Sequence, residues 1–291
     1  MKRFLALLLC VATLLCLTAC SEPAESTDPS SSEAEVTPVP GMTEFSKTPS
    51  AGLEYSVNED EISCTITGIG TCKDAYIFVG NEIDGLAVTA IGASAFYGNK
   101  DIKGVRLGDN VVTVGAYAFF ECAFLEQVLL GNVVASLEAY AFAGCGKLKT
   151  ITIPESVKQI DAWAFYDCHG LEAVHIADLA SWCAIAFGGA YANPVLYAEN
   201  LYLQEMLLTT LILPEETVTI GQWAFAGCTS LTEVQLHGSL ESIAPRAFLR
   251  CTNLTAIHYD GTKEQWAALE KGSYWNFKID DMVITCIDGE V

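Results

Sequence analysis

The dipeptide Ala-Phe returns at a fixed spacing through most of this 291-residue chain, and that period narrows the possible folds more than any other feature. It stands at Ala95-Phe96, Ala118-Phe119, Ala141-Phe142, Ala164-Phe165, Ala224-Phe225 and Ala247-Phe248, with phenylalanines 23, 23, 23, 60 and 23 residues apart. Three residues after each comes Asn99, Cys122, Cys145, Cys168, Cys228 or Cys251. Three further on stands Ile102, Leu125, Leu148, Leu171, Leu231 or Leu254. Apolar pairs separated by one position follow, such as Val105/Leu107, Ile151/Ile153 and Val234/Leu236. The unit reads IGxxAFxxCxxLxxVxL. One copy cannot bury its own apolar face, so copies must stack and share a continuous core.

The alternation in LxxVxL predicts a short strand with one face inward. IGxxAF reads as a tight turn leading into a 3₁₀ or short helical piece that closes the winding. Stacked strands then run parallel, about 4.8 Å apart, along a solenoid axis. This pattern resembles the leucine-rich repeats of the BspA-like class, found in bacterial surface proteins and in some protist ones. The resemblance covers roughly residues 51–291, and the segment from Gly85 to Gly92 resembles the entry into that family's first repeat. Asn99, where cysteine is usual, and the 60-residue gap are departures from it. The expected fold is a leucine-rich-repeat solenoid with repeats over 88–259, a β-rich N-terminal cap over 51–87 and a helix-containing C-terminal cap over 260–291. The gap is an ordinary winding plus 37 residues, too short for a core of its own. It reads as two enlarged coils over 177–219, with an apolar stretch from Leu179 to Phe187 and strand-like runs at Leu201 to Leu203 and Leu211 to Leu213. Near the C-terminus, Thr262 and Gln265 have capping-box spacing, so a helix there would set Trp266 and Leu269 over the final coil. Met282 to Ile287 would add a closing strand.

Two dissimilar segments precede the repeats. Lys2 and Arg3 lead an apolar run from Phe4 to Leu17, which reads as a signal peptide over 1–19. Phe4 to Ala19 is 16 residues, short of the roughly 20 needed to span a membrane. Leu17-Thr18-Ala19-Cys20 resembles the lipobox of bacterial lipoproteins, which implies cleavage before Cys20 and lipidation of that cysteine. Residues 20–50 are rich in Ser, Thr, Pro and Glu and cannot bury enough apolar area to fold, so they read as a disordered linker. The expected location is outside the cell, on the bacterial membrane through the N-terminal lipid.

Composition removes whole classes of function. With 51% hydrophobic residues there is ample material for a core, and a net charge of −21 repels phosphate backbones, so no nucleic acid is expected as a partner. Five of the twelve cysteines share one repeat position. A column of thiols along an axis does not converge on a metal, and buried small hydrophobes are the expected role. Cys64 and Cys72 flank a glycine turn and are a candidate disulfide in an exported protein, against two separate thiols. His175 and His258 hold outward strand positions several coils apart, too distant to share a metal ion. Cys183 with a histidine lacks a third orienting group. No GxSxG, HExxH or P-loop occurs. No catalytic residue, cofactor or metal is therefore expected. A glycosidase would need two carboxyls about 5–9 Å apart across a cleft; beside Trp182 and Tyr202 only Asp178, Glu199 and Glu205 are at hand.

Two surface columns remain as candidate binding sites. Immediately before Ala-Phe stand Ser94, Tyr117, Tyr140, Trp163, Trp223 and Arg246, so Tyr117, Tyr140, Trp163 and Trp223 form an aromatic ladder. Such rings either anchor a sugar or protein or pack on one another and seal the flank, which ladder geometry favours. The outward strand positions are Arg106, Leu129, Thr152, His175, Gln235 and His258, a mixed surface suited to recognition. Leucine-rich repeat proteins often bind along the sheet, so the resemblance favours this column and implies adhesion. The expected function is a non-catalytic, lipid-anchored surface protein that binds an extracellular protein or polysaccharide. An envelope structural module and a glycan hydrolase in the enlarged coils are the alternatives.

Overall fold

The Val-x-Leu alternation does form a strand in each winding, and the computed structural model stacks these strands in parallel register. Residues 45–279 and 281–291 are described; the leader 1–19, Cys20 and residues 21–44 lie outside them. One ladder holds Tyr76–Val79, Gly104–Leu107 and Gln127–Leu129, and a second holds Thr150–Ile153, Ala173–Ile176 and Leu201–Leu203. A third holds Thr210–Ile212, Glu233–His237, Ala256–Asp260 and Val283–Cys286. Register keeps like beside like: Ile77 neighbours Val105, and Val105 neighbours Val128, all buried. The result is a solenoid of about ten turns.

Each winding also carries a second strand, which the alternation did not reveal. Leu86–Ile91, Thr113–Val114, Ser136–Leu137, Gln159–Ile160 and Ala186–Phe187 pair in parallel, as do Thr219–Ile220, Ser242–Ile243 and Glu270–Lys271. These mostly two-residue strands are too short for a visible period. Their one inward side chain is the Ile of IG, and Ile91, Val114, Leu137, Ile160, Ile220 and Ile243 are all fully buried.

The Ala-Phe segment keeps 3₁₀-type bonds but places them at alternate residues. Phe120 N donates to Tyr117 O at 3.1 Å and Cys122 N to Phe119 O at 3.1 Å. The intervening N–H groups cross to the next winding: Tyr117 N to Ala139 O, Phe119 N to Ala141 O, and Glu121 N to Ala143 O. A helix is therefore replaced by linked turns whose spare donors tie the coils together. The conformational cost is a left-handed backbone at two positions per winding, for example Tyr117 (φ 58°) and Glu121 (φ 55°). Behind these turns Phe96, Phe119, Phe142 and Phe165 stack at 5.1, 5.3 and 5.6 Å, and Phe225 and Phe248 at 5.4 Å.

The extra residues of the long gap fold into α1 (Leu179–Cys183), a 3₁₀ turn at Ala190–Ala192 and α2 (Val195–Ala198). Met206–Leu207 then turns back antiparallel on Leu201–Leu203, and the next strand is Thr210–Ile212. Both strand ladders stop here and restart. Gly221 N donates to Cys183 O at 3.0 Å, so the second short ladder begins against the end of α1.

Antiparallel pairs occur at both ends. Glu54–Val57 pairs antiparallel with Ser63–Gly68, which itself runs parallel to Leu86–Ile91. At the other end Gly289–Glu290 folds back on Val283–Cys286. The helix expected after Thr262 is α3 (Lys263–Ala268), with a complete capping box between Thr262 and Gln265 and with Trp266 and Leu269 buried. The linker boundary at residue 50 needs correction. Phe45 meets Tyr76 edge-on at 5.9 Å, while Ser50 N donates to Phe78 O at 2.8 Å. Residues 45–50 thus pack on the free edge of Tyr76–Val79, because that edge would otherwise leave backbone groups unpaired. No helix among the described residues is long and apolar enough to cross a membrane.

Candidate functional site

The outward strand residues are set by register. Phe78, Arg106 and Leu129 lie side by side in the first ladder, Thr152, His175 and Tyr202 in the second, and Ile212, Gln235, His258 and Thr285 in the third. The six expected residues are therefore brought into one column only in part. Arg106, Leu129, Thr152 and His175 follow one another, since Gln127–Leu129 packs beside Thr150–Ile153, whereas Gln235 and His258 stand in the ladder beyond the gap. Sequence reasoning missed Phe78, Tyr202, Ile212 and Thr285, whose strands lie outside the Ala-Phe units; only their Val-x-Leu-like alternation marks them.

Local chemistry within the column is specific. The Arg106 guanidinium lies 4.5 Å over the Phe78 ring. His175 stacks on Tyr202 at 4.9 Å and is half-buried rather than fully outward. Its Nδ1 is 3.3 Å from Glu205 Oε2 but outside hydrogen-bonding geometry. Gln235 donates to Glu233 Oε1 at 3.1 Å, and His258 Nε2 lies 3.4 Å from the same oxygen. Leu129 is half-buried, and Ile212 is strongly exposed.

Three of the four ladder aromatics come together, and the fourth does not. Tyr117 and Tyr140 stack at 4.9 Å, Tyr140 and Trp163 at 6.1 Å, and the run ends on Tyr191 of the gap, 5.1 Å from Trp163. Trp223 lies beyond the gap and is covered instead by Arg246, at 5.0 Å. Within the stack the rings use each other's faces and offer their edges to solvent. Phe120 and Tyr166 lie alongside it, at steep angles to its rings. The rings thus pack on one another along the flank, while Tyr117, Trp163, Tyr166 and Tyr191 stay partly exposed.

The thiols and carboxylates are engaged in structure. All nine described cysteines are free and buried, so Cys64 and Cys72 are two separate thiols rather than a disulfide. Cys64 Sγ instead faces Leu86 O at 3.9 Å. Burial pushes the Cys122, Cys168 and Cys183 thiols up to about 12. In the enlarged coils, Asp178 caps α1 by accepting from Ser181 N at 2.6 Å, and Glu199 ends α2 in a left-handed turn. Glu205 is the carboxylate beside His175. Trp182 is buried, donating Nε1–H to Ala224 O at 2.9 Å, and the space beside it is only about 10 Å³, less than one water fills. A larger hollow of about 540 Å³ lies at the other end, against Ser46, Thr48, Asp74 and Tyr76.

The family model of the BspA type leucine rich repeat region matches six copies, over residues 85–191 and 198–285. Among solved structures the chain is similar to a leucine-rich repeat protein of T. pallidum, at 21% identity and TM-score 0.44, covering 81% of this chain and 92% of that one. A leucine-rich repeat protein from Bacteroides capillosus matches at 27% identity and TM-score 0.38, over 44% of this chain and 95% of its own. A leucine rich cell surface protein from Faecalibacterium prausnitzii matches at 16% identity and TM-score 0.33, over 79% and 98%. No curated protein matches the chain significantly.

Proposed function

Because the chain belongs to the BspA-type leucine-rich repeat family, we propose that it acts without catalysis, as an exported scaffold that grips an extracellular protein or polysaccharide in adhesion. The observation that carries this reading is a contrast within each winding. Inward positions repeat the same residue types, whereas outward neighbours in register run from Phe78 to Arg106 to Leu129, and from Thr152 to His175 to Tyr202. A surface serving only stability has no need of such variety, while a recognition face does. The leader and Leu17-Thr18-Ala19-Cys20 support export and tethering through a lipid on Cys20. The acidic linker would hold the scaffold away from the membrane.

The test uses whole cells that express the full chain, probed on arrays of matrix proteins and glycans. Cells with Arg106→Ala and Gln235→Ala combined are expected to lose at least about tenfold in affinity for the captured ligand. Cys20→Ser is expected to abolish fatty-acid incorporation and release the protein into the medium. Ligand capture that ignores both strand-face changes would overturn the strand face as the binding surface, and fatty-acid incorporation into Cys20→Ser would overturn the tether.

A further inference from the structure

We propose that the N-terminal end of the aromatic flank, over Ser94, seats an arginine side chain of a basic protein segment. The proposal rests on the binding reading for its biological setting, but the seat is argued from its own geometry. The residue before Ala-Phe is large in the other windings, namely Tyr117, Tyr140, Trp163, Trp223 and Arg246, and small at Ser94. Tyr117 has Tyr140 stacked on one face and Phe120 beside it at 5.4 Å. Among the described residues no ring or cation covers its other face, on the Ser94 side, and the residue is 37% exposed. Tyr97 is 54% exposed and stacks on Phe120 at 5.0 Å, walling the same level. Glu138 Oε2 accepts from Ala116 N at 2.9 Å on the opposite, Tyr140 side of Tyr117, and leaves the Ser94 side open.

The molecule itself displays what such a level accepts. At this same position in the last Ala-Phe winding, the Arg246 guanidinium lies 5.0 Å from the Trp223 ring and 5.4 Å from that of Tyr274. One winding's rise therefore brings a guanidinium into cation–π range of the neighbouring ring. Ser94 presents that level with an aromatic face below it and no cation of its own. A guanidinium is flat and weakly hydrated, so it can lie face to face on Tyr117, which a lysine ammonium does less well.

Charge selects the class of partner. The turn segments 92–101, 115–124, 138–147 and 161–170 carry Asp101, Glu121, Glu138, Asp161 and Asp167 against Lys100 and Lys147. With −21 on the whole chain, a second copy or an anionic polymer is repelled and a cationic protein segment is drawn in.

The full chain is titrated with a labelled oligoarginine peptide, an oligolysine peptide of equal length and a neutral oligoglucan. Ser94→Tyr continues the ladder over the seat, and its fold is secured by precedent: Tyr117 and Tyr140 hold the same left-handed backbone, φ 58° and 59° against 59° at Ser94. Oligoarginine is expected to bind about fivefold or more tighter than oligolysine, with Ser94→Tyr weakening it about tenfold. Ser94→Arg fills the seat from within the chain and should give the same loss, while Ser94→Ala changes little. Equal binding of the two peptides, indifference to Ser94→Tyr in a variant of unchanged circular dichroism, or glucan binding that Ser94→Tyr abolishes each overturns the proposal. Arg106→Ala is expected to leave oligoarginine binding unchanged, so this seat and the strand-face reading fail separately.

Discussion

Cys122, Cys145, Cys168 and Cys251 each aim a thiol at the carbonyl of the phenylalanine 26 residues earlier, at 3.1, 3.3, 3.1 and 3.1 Å. That carbonyl already accepts a backbone N–H, as Phe119 O does from Cys122 N, so the thiol fills its second lone pair. Asn99 departs from the pattern for a physical reason: no Ala-Phe pair stands one winding before it. Its Oδ1 instead accepts from Asp101 N and Ile102 N within its own turn. Cys228 likewise follows a winding without the Ala-Phe pair, and its thiol turns to Ser230 Oγ at 3.4 Å. The sequence alone marked these cysteines as buried hydrophobes; the bond they donate needed the register. Burial pushes Cys122 and Cys168 up to about 12, and Cys145 and Cys251 well above the ordinary thiol value. A thiol whose folded value is raised stabilises the fold fully below the unfolded value near 9 and loses that contribution as pH climbs toward the folded one. Each such thiol should cost about 1.4 kcal/mol per pH unit in that window. The urea midpoint is thus expected to fall between pH 8 and pH 10. Cys145→Ala should be about 1–2 kcal/mol less stable at pH 8 and shallower in its pH slope. An unchanged slope in that variant would refute the assignment.

The winding is the natural element, and its left-handed positions set what it tolerates. Two residues after the Ala-Phe pair the chain carries Gly98, Glu121, Gly144, Asp167, Gly227 and Arg250, all with positive φ. Non-glycine residues hold half of these sites, so the conformation is imposed by the crossing hydrogen bonds and not by local preference. Gly98 and Gly227 make a controlled pair. A Cβ on Gly98 meets nothing within 4 Å, whereas on Gly227 it comes within 2.9 Å of Leu196 Cα. Gly98→Ala should therefore cost about 1 kcal/mol, the left-handed penalty alone. Gly227→Ala must also push α2 away, and about 3 kcal/mol or more is expected from thermal melts of the two variants. Equal melting temperatures would show that α2 yields freely. Much of this element was legible: the phenylalanine spine and the Val-x-Leu strand follow from period and alternation. The second strand and the linked turns were not, since two residues carry no period and i→i+3 bonds at alternate residues leave no signature in residue type.

On the scale of the whole molecule the question is how two stacks of windings become one body. The phenylalanine ladder stops at Phe165 and resumes at Phe225, and both strand ladders are interrupted over the same stretch. The sequence located this interruption through the 60-residue spacing, but the residues that close it are single polar groups whose partners are 30 or more positions away. Asn193, fully buried, donates Nδ2–H to Trp223 O at 2.8 Å and to Ala224 O at 3.0 Å, and Trp182 Nε1 donates to that same Ala224 carbonyl. These bonds fall on the first Ala-Phe turn after the gap, where the preceding winding supplies no regular partner. In a solenoid, stability is close to a sum of unit terms and neighbour terms, so a weakened junction uncouples the parts on either side. Asn193→Leu combined with Trp182→Phe keeps bulk in the core and removes all three junction bonds, along with the local bond that Val195 N donates to Asn193 Oδ1 at 2.9 Å. At about 1 kcal/mol net per bond, the junction should weaken by about 3 kcal/mol. The expected result is unfolding in two steps, with a lowered apparent m-value and tryptophan fluorescence no longer coincident with circular dichroism. A single transition shifted to lower denaturant, with the two probes still coincident, would instead mean that apolar packing around Trp182, which meets Phe187 at 5.3 Å, joins the stacks and that the buried amide only fills its own hydrogen-bonding needs.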